Sequence, residues 1–321
     1  MQKKHIKLIP GKILAAGKKT LLKAAISQLG EAPQLKIIQV GDDASSSLYV
    51  GLKVAAAIEV GINAQALVFP TGTNPKQVIS KIQEFNSQPE VKGIMVQSPI
   101  PGLGLIESLK IFNAISPKKD VDGLSFASLG KLWQYKSLSE LFLDIDKPFV
   151  SATPLGVLDC LLWLARPAEA QLAIGLEQAE ALITLLQGKK ALIINRSNIV
   201  GKPLAALLTL ANATVTLAHS YTPDVHGSLS NYDFVLPATG IDNYLTMAEF
   251  QTGQVVIDIG INNNNQTQQV RGDVIFSPEE IANTTEIDAT EAKVYLAPVP
   301  GGVGPLTVVN LLANTYSAAR A

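Results

Sequence analysis

Cysteine is almost missing from this chain: Cys160 is the single one among 321 residues. That excludes an intrachain disulfide framework and a cysteine-cluster zinc site, and it fits a reducing compartment. Histidine is nearly as scarce, and His5, His219 and His226 do not form a zinc motif. Charged residues make up only 17% of the chain, against about a quarter in an average soluble protein. With 26 Lys+Arg against 27 Asp+Glu there is no basic excess. A broad nucleic-acid surface, which must neutralise phosphates, is therefore not expected. Long apolar runs are also lacking, although 47% of the residues are hydrophobic. Gly156–Ala165 is interrupted by Asp159 and falls short of the about 20 residues a membrane span needs. The basic start, residues 1–7, is not followed by an apolar signal segment. No Gly-x-Ser-x-Gly nucleophile elbow occurs, and the glycine-rich Pro300–Pro305 lacks the Lys-Ser/Thr of a phosphate-binding loop. The expectation is a cytoplasmic α/β protein of about two domains, with neither membrane nor nucleic acid as partner.

What is present is an alternation of short apolar runs with longer helical patterns, the mark of a parallel sheet with crossover helices. Leu35–Val40, Ala64–Phe69 and Gly93–Val96 read as buried strands, with helices near Gly17–Leu29, Ser45–Val60 and Pro75–Asn86. Ala191–Ile194, Thr214–Ala218, Phe234–Pro237 and Val255–Ile259 read as strands of the second half. The rhythm is lost over Trp133–Val150, which places a division near residue 150. Thr153 is then the expected cap of a helix with Pro154 at its first position. Pro167–Gln187 has high helix propensity, Asn262–Gln269 reads as a solvated turn, and Pro298–Pro305 as a tight turn before a terminal helix, Leu306–Ala319.

Four segments carry candidate chemistry. In Val40–Lys53 a strand runs through a Ser/Asp-rich turn into a helix, where Tyr49 and Lys53 neighbour each other on one face. An aromatic platform beside a proton-transfer group suits a flat substrate, while an ordinary surface pair is the plain alternative. Leu48, Leu52 and Ala55 are expected to pack that helix inward. Gln97 ends a buried strand before two prolines, where doubly wound sheets bind ligands. Its amide can orient a water or ring edge, or simply cap the loop. Asp120 and Asp122 precede Gly123; a metal loop is not expected, since no further oxygen ligands follow. An Asp-Gly turn and a charge-assisted contact from Asp122 to a heterocycle both remain open.

The fourth segment, Gly188–Leu204, passes from strand through loop to helix, as a dinucleotide site does. Its three-glycine fingerprint is missing: Asn195 stands where a first glycine belongs, and Gly201 remains. The next strand ends at His219 and Ser220 without the acidic residue that binds an NAD ribose. With Arg196 nearby, the combination favours a 2′-phosphate, hence NADP. Thr239, Gly240 and Ile261 follow later strands, where small residues let backbone approach a cofactor or merely make turns.

In this order the motifs resemble the bifunctional methylenetetrahydrofolate dehydrogenase/cyclohydrolase family. The resemblance rests on Tyr49/Lys53, Val96-Gln97-x-Pro99, Lys119–Gly123, Thr153-Pro-x-Gly156, Arg196-Ser-x-Ile-Val-Gly201, Val256–Asn262, Gly272-Asp-Val274 and Pro298–Pro305. It implies two domains around a cleft, 1–150 completed by 298–321 and a Rossmann-like 151–297. It also implies a homodimer, tetrahydrofolate derivatives as substrates and NADP as cofactor. By that resemblance Tyr49 stacks on the folate, Lys53 is the cyclohydrolase acid/base, Gln97 supports it, and Asp122 binds the pterin. Gly301 and Gly302 lie against the folate. Arg196, Ser197, Gly201, Ser220, Thr239, Gly240 and Ile261 then serve the cofactor.

The implied chemistry sets conditions on these residues. Lysine titrates near 10.4, so a base near neutrality needs its pKa lowered by about 3, or roughly 4 kcal/mol. Burial does this, whereas a contact with Asp122 opposes it. Asp122 is therefore expected to face the pterin and point away from Lys53. Three departures from the family pattern stand out: Asn195 before Arg196, expected to crowd the pyrophosphate; Ser151-Ala152 for the usual Pro-Cys; and a long Arg166–Gln187 connection that serves a dimer contact or covers the domain. Asn195 keeps open a cyclohydrolase with impaired redox activity. A catalytically silent folate- or nucleotide-binding protein is a further alternative.

Overall fold

Val, Ile and Leu runs bounded by Gly, Pro and Asn form short parallel strands, and the amphipathic segments between them form helices. The computed structural model describes residues 5–169, 174–264, 269–277 and 293–320. In chain order the first elements are β1 (His5–Leu8), α1 (Gly11–Ile26), β2 (Gln34–Val40), α2 (Ala44–Val60), β3 (Asn63–Phe69), α3 (Pro75–Ser87) and β4 (Val91–Val96). Next come α4 (Leu105–Phe112), α5 (Phe126–Leu132), α6 (Leu138–Leu143), α7 (Ala152–Ala165) and α8 (Leu176–Leu186). The second half follows: β5 (Lys190–Ile194), α9 (Gly201–Leu210), β6 (Thr214–Ala218), α10 (Val225–Ser228), β7 (Phe234–Pro237), β8 (Leu245–Thr246) and β9 (Val255–Ile257). The chain closes with β10 (Asn262–Asn264), β11 (Gln269–Arg271), β12 (Val274–Ile275), β13 (Lys293–Ala297) and α11 (Val303–Arg320).

Two compact units result, each made of several stretches of chain. One unit contains residues 1–15, 135–144 and 153–306; the other contains 16–134, 145–152 and 307–321. β1 hydrogen-bonds in parallel to β13, so the N-terminal strand joins the six-stranded sheet, of order β1-β13-β9-β7-β5-β6. Every neighbour in that sheet is parallel. Leu192, Ile194, Val235, Val256, Val294 and Leu296 supply its buried interior, with Leu229, Met247 and Phe250 packed on it. The long Arg166–Gln187 connection forms α8, whose Ala179, Leu182 and Leu186 are buried within this unit. Those side chains pack into the domain. The expected turn over Asn262–Gln269 is corrected at both ends: Asn262–Asn264 and Gln269 belong to the antiparallel pair β10 and β11, and residues 265–268 lie outside the described residues.

The other unit holds a parallel sheet of order β3-β2-β4. Here the expectation of three buried strands fails for β3. An edge strand with one neighbour, it buries only Ala64 and leaves Val68 54% exposed. Two helix starts also differ from expectation. α7 opens at Ala152, so Thr153 lies inside it, one residue past the expected cap position. α11 opens at Val303, so Gly304 and Pro305 form its first turn; proline is tolerated there because first-turn N–H groups have no helical partner.

Candidate active site

Helix α2 is aimed by its own start. Asp43 caps it by accepting the Ser46 N–H at 2.8 Å, and buried Gln39, at the end of β2, donates to Gly41 O and Ser47 Oγ. The face that turns inward is Val50, Lys53, Ala57 and Val60, a 3-4-3 spacing. The expected stripe is corrected here: Leu48 and Leu52 are 62% and 51% exposed, and Ala55 is exposed too. Lys53 therefore occupies a core position of its helix.

Its ammonium is met by the end of β4. Lys53 Nζ donates to Gln97 Oε1 at 2.9 Å and lies 3.6 Å from Met95 Sδ. Gln97 is fixed in turn: its N–H donates to Ile38 O at 2.8 Å, and its Nε2 to Ser98 O at 3.1 Å. With the amide nitrogen engaged, the amide oxygen faces the lysine. Burial lowers the Lys53 pKa, and the charge of Asp122 opposes that shift. Lys53 forms no ion pair among the described residues, yet each of the two groups feels the other's charge. Tyr49 lies one turn earlier on α2, half-buried, with its phenol pKa raised by burial.

Asp122 and Asp120 have separate fates. Asp120 is buried and accepts Leu124 N–H, Ser125 N–H and Ser128 Oγ–H, which opens α5. Asp122 accepts the backbone N–H of Ala152. Burial pushes its pKa up to about 6, against the pull of Lys53. Its strap is anchored from α11, because Asn314 Nδ2 donates to Val121 O at 2.8 Å and Val150 O at 2.9 Å. Gly123 has φ +63, and a Cβ there would fall 2.4 Å from Phe149 O. Among the described residues no His/Cys/Asp/Glu group could hold a metal ion.

A second set of predicted residues gathers in the other unit, at the carboxyl ends of β5, β6, β7 and β9. Asn195 Oδ1 accepts Ser197 N–H at 2.7 Å and Gly201 N–H at 3.2 Å, and its Nδ2 donates to Ala238 O at 2.7 Å. The side chain is thus folded into its own loop, tying two strand ends together. Ser197 Oγ accepts Val200 N–H, while Gly201 carries α9 against Asn195, whose carbonyl oxygen would lie 2.3 Å from a Cβ at that position. Arg196 is exposed, makes no ion pair among the described residues, and stacks over Tyr221 at 5.7 Å. Ser220 is exposed beside them. Gly240, at φ +69, has open space around its missing Cβ. Ile241, Ile261 and Tyr221 are 55%, 42% and 81% exposed on the same sheet edge. A guanidinium without an ion pair among the described residues, exposed apolar side chains and no carboxylate at the end of β6 form a donor set that fits a phosphorylated dinucleotide.

Gly301 and Gly302 belong to this second unit. Gly301 has φ +103 and open space about its missing Cβ, and its carbonyl accepts Lys12 N–H. Gly302 faces the chain itself, since a Cβ there would fall 2.6 Å from Pro298 O. Two buried carboxylates belong to motifs of the family resemblance, Val256–Asn262 and Gly272-Asp-Val274, to which the sequence assigned no role. Asp258 and Asp273 are 1% and 0% exposed, and burial, helped by the charge of Asp273, pushes the Asp258 pKa up to about 7. Their signal was present as Asp258-x-Gly260 and Gly272-Asp273, each carboxylate two or fewer residues from a glycine.

Comparison with known proteins gives both units a family. Residues 9–122 match the tetrahydrofolate dehydrogenase/cyclohydrolase catalytic domain, and residues 176–321 match the NAD(P)-binding domain of the same family. The chain is 38% identical to the bifunctional protein FolD of Dichelobacter nodosus, over 98% of this chain and 97% of the relative. Its fold is similar to that of the bifunctional dehydrogenase/cyclohydrolase of Campylobacter jejuni, with TM-score 0.79 and 32% identity over 98% and 99% of the two chains. The Trypanosoma brucei enzyme, determined with NADP and an inhibitor, is similar with TM-score 0.79 and 26% identity over 100% and 98%. The chain belongs to the bifunctional tetrahydrofolate dehydrogenase/cyclohydrolase family, and it carries that family's catalytic and NAD(P)-binding domains.

Proposed function

We propose that this enzyme oxidises 5,10-methylenetetrahydrofolate with NADP and hydrolyses the methenyl product to 10-formyltetrahydrofolate, with Lys53 as the proton-transfer group of the hydrolysis. The supporting observation is the buried Lys53 amine, oriented by Gln97 Oε1 at 2.9 Å and lowered in pKa by burial. A neutral amine in that position donates one N–H to Gln97 and keeps its lone pair for the proton of an attacking water. Tyr49 provides an aromatic face one helical turn away for the folate, and Asp122 a carboxylate for the N–H edge of the pterin. The nitrogen beside the methylene carbon stabilises the cation that hydride loss leaves, so the protein's task in the first step is alignment. When bound, the nicotinamide cofactor accepts that hydride. Arg196 and Ser220 are the residues for a 2′-phosphate, and no carboxylate at that position selects for the NAD ribose.

In this reading the unit holding Lys53 is the folate half and the six-stranded unit the cofactor half. The enzyme works as a cytoplasmic homodimer on tetrahydrofolate derivatives and supplies formyl groups for purine biosynthesis. No helix among the described residues is long and apolar enough to cross a membrane. The test is to supply 5,10-methylenetetrahydrofolate with NADP or NAD and follow methenyl absorbance. Cofactor-dependent appearance with NADP preferred, followed by enzyme-accelerated decay, is expected. Unaccelerated decay of supplied methenyl substrate would overturn the hydrolytic role, and a preference for NAD the cofactor assignment.

A further inference from the structure

The carboxylates of Asp258 and Asp273 are interlocked through two glycines. A Cβ on Gly260 would fall 1.9 Å from Asp273 Oδ1, and one on Gly272 would fall 1.9 Å from Asp258 Oδ2. Each carboxylate therefore lies in the space left open by the glycine near the other. Asp258 Oδ1 accepts the N–H groups of Gly260 and Asp273, both at 3.1 Å, and its Oδ2 accepts Val274 N–H at 2.9 Å. The bonds from Asp273 and Val274 fix the backbone that presents Asp273, and the bond from Gly260 holds the Asp258 carboxylate on its own loop. Asp273 in turn faces the loop after β7. Its Oδ2 accepts Thr239 N–H at 2.5 Å and Thr239 Oγ–H at 2.9 Å. Its Oδ1 accepts Ile241 N–H at 3.2 Å and Asn262 Nδ2–H at 3.3 Å.

Buried carboxylates without a cation are costly, and neither of these forms an ion pair among the described residues. Seven donated hydrogen bonds offset that cost, and three of them go from Thr239 and Ile241 to Asp273. The same loop is held from its other side, where Asn195 donates to Ala238 O. Between these two grips Gly240 is left exposed, with open space where a side chain would be. A turn needs no buried charge to form. What the carboxylate adds is one fixed direction for the loop backbone before anything binds, which removes an ordering cost from binding.

We propose that Asp273, presented by Asp258, is the positioning residue of the dinucleotide loop Ala238–Ile241, holding it in the binding conformation in the free enzyme. The inference rests on the reading of Thr239 and Gly240 as cofactor contacts. It differs from the role of Arg196, because a positioned loop serves NADP and NAD alike, whereas the guanidinium serves the 2′-phosphate.

The test is calorimetric titration of the whole enzyme with NADP and with NAD, with cyclohydrolase turnover of supplied methenyl substrate as a check on folding. Asp273→Asn is expected to weaken both cofactors by about tenfold or more. Its dehydrogenase KM for NADP rises while kcat at saturation stays within about threefold. Thr239→Val, which removes a single hydroxyl bond, weakens both by a few-fold, and Thr239→Ser restores wild-type affinity. A folded Asp273→Asn enzyme with wild-type affinities overturns the proposal. If Asp273→Asn does not fold, the threonine pair decides: equal affinities in Thr239→Val and the wild type overturn it. Arg196→Ala separates the underlying reading. Loss of NADP affinity there, with none in Asp273→Asn, overturns the positioning role alone; no loss in Arg196→Ala overturns the cofactor reading and the positioning role with it.

Discussion

The side-chain oxygen of Asn195 accepts the backbone N–H of Gly201 at 3.2 Å, at the first residue of α9. In a dinucleotide fold the first N–H groups of such a helix face an anion. Here one of them is already satisfied, and Asn195 also holds Ser197 and Ala238. Asn195→Gly removes three hydrogen bonds and is expected to lower the unfolding free energy by about 1–3 kcal/mol. Gly201→Ala is expected to destabilise by a comparable amount, because its Cβ would sit 2.3 Å from Asn195 O and the backbone must move. Denaturant unfolding measures both; a Gly201→Ala enzyme of unchanged midpoint would contradict the close approach.

Lys53 supplies the next prediction. Lys53→Met is expected to reduce cyclohydrolase turnover by about 10²–10⁴-fold. The same change is expected to stabilise the fold near neutral pH. The Lys53 pKa is lowered on folding, so between that lowered value and 10.5 the unfolded chain binds the extra proton, and wild-type stability rises with pH across this window. Below the window the wild type carries the full penalty of burying the charge. The gain in Tm from Lys53→Met should therefore be largest below the lowered Lys53 pKa and shrink as the pH rises towards 10.5. A gain independent of pH would show that packing alone produced it.

Asp122 couples to that lysine with opposite sign. Its folded pKa of about 6 is raised above the ordinary carboxylate value, so its stabilising protonated form is lost as pH rises from 3.8 through about 6. Only above that range is the carboxylate charged and able to hold a heterocycle N–H. The expected kcat/KM for folate therefore falls on the acid side with a midpoint near 6. Asp122→Asn should remove that limb and raise KM. Because the Asp122 charge holds the Lys53 pKa up, the variant should also shift the alkaline rise of cyclohydrolase kcat to lower pH. A kcat profile unmoved by Asp122→Asn would mean that the two groups are not coupled.

Much of this arrangement was legible in residue order. β7 matches its expected bounds, and α2, β2 and β4 lie within two residues of theirs, because apolar runs flanked by Gly, Asn or Pro report strands directly. Non-local pairing was not legible. β1 has four residues and no flanking pattern of its own, and only its hydrogen bonds to β13 make it a strand. The inward stripe of α2 was misread because Lys53 interrupts it; a cation at a core position hides the 3-4-3 spacing that marks the face. The Asp258–Asp273 interlock was invisible for another reason, since it exists only when residues 15 apart in sequence exchange places across two glycines.

Arg196 and Tyr221 carry a specificity prediction. The guanidinium stacks over the exposed Tyr221 ring at 5.7 Å, which restrains it at the end of β6. An exposed contact of this type contributes about 0.5–1 kcal/mol, equivalent to roughly 2–5-fold in affinity. Tyr221→Ala should weaken NADP by about that factor while leaving NAD nearly unchanged, and Tyr221→Phe should retain wild-type binding. Equal loss for both cofactors would assign Tyr221 to the shared part of the dinucleotide.

Asn314 tests whether the C-terminal helix sets the geometry of the proposed folate residues. From α11 its amide donates to Val121 O and Val150 O, the two strands of chain between which Asp122 meets the N–H of Ala152. Asn314→Leu keeps the volume but leaves two carbonyl oxygens without their donor, an expected loss of about 1–3 kcal/mol in stability. The functional consequence is more specific. With the strap at Val121–Gly123 released, Asp122 is no longer held at one distance from Lys53. The KM for folate should rise, and the acid limb near pH 6 should move, while NADP affinity, which the proposed function assigns to residues of the other unit, stays at the wild-type level. Parallel titrations with folate and NADP decide the matter. A uniform loss of both would make Asn314 a general stabiliser; a loss confined to folate makes it the residue through which α11 positions Asp122.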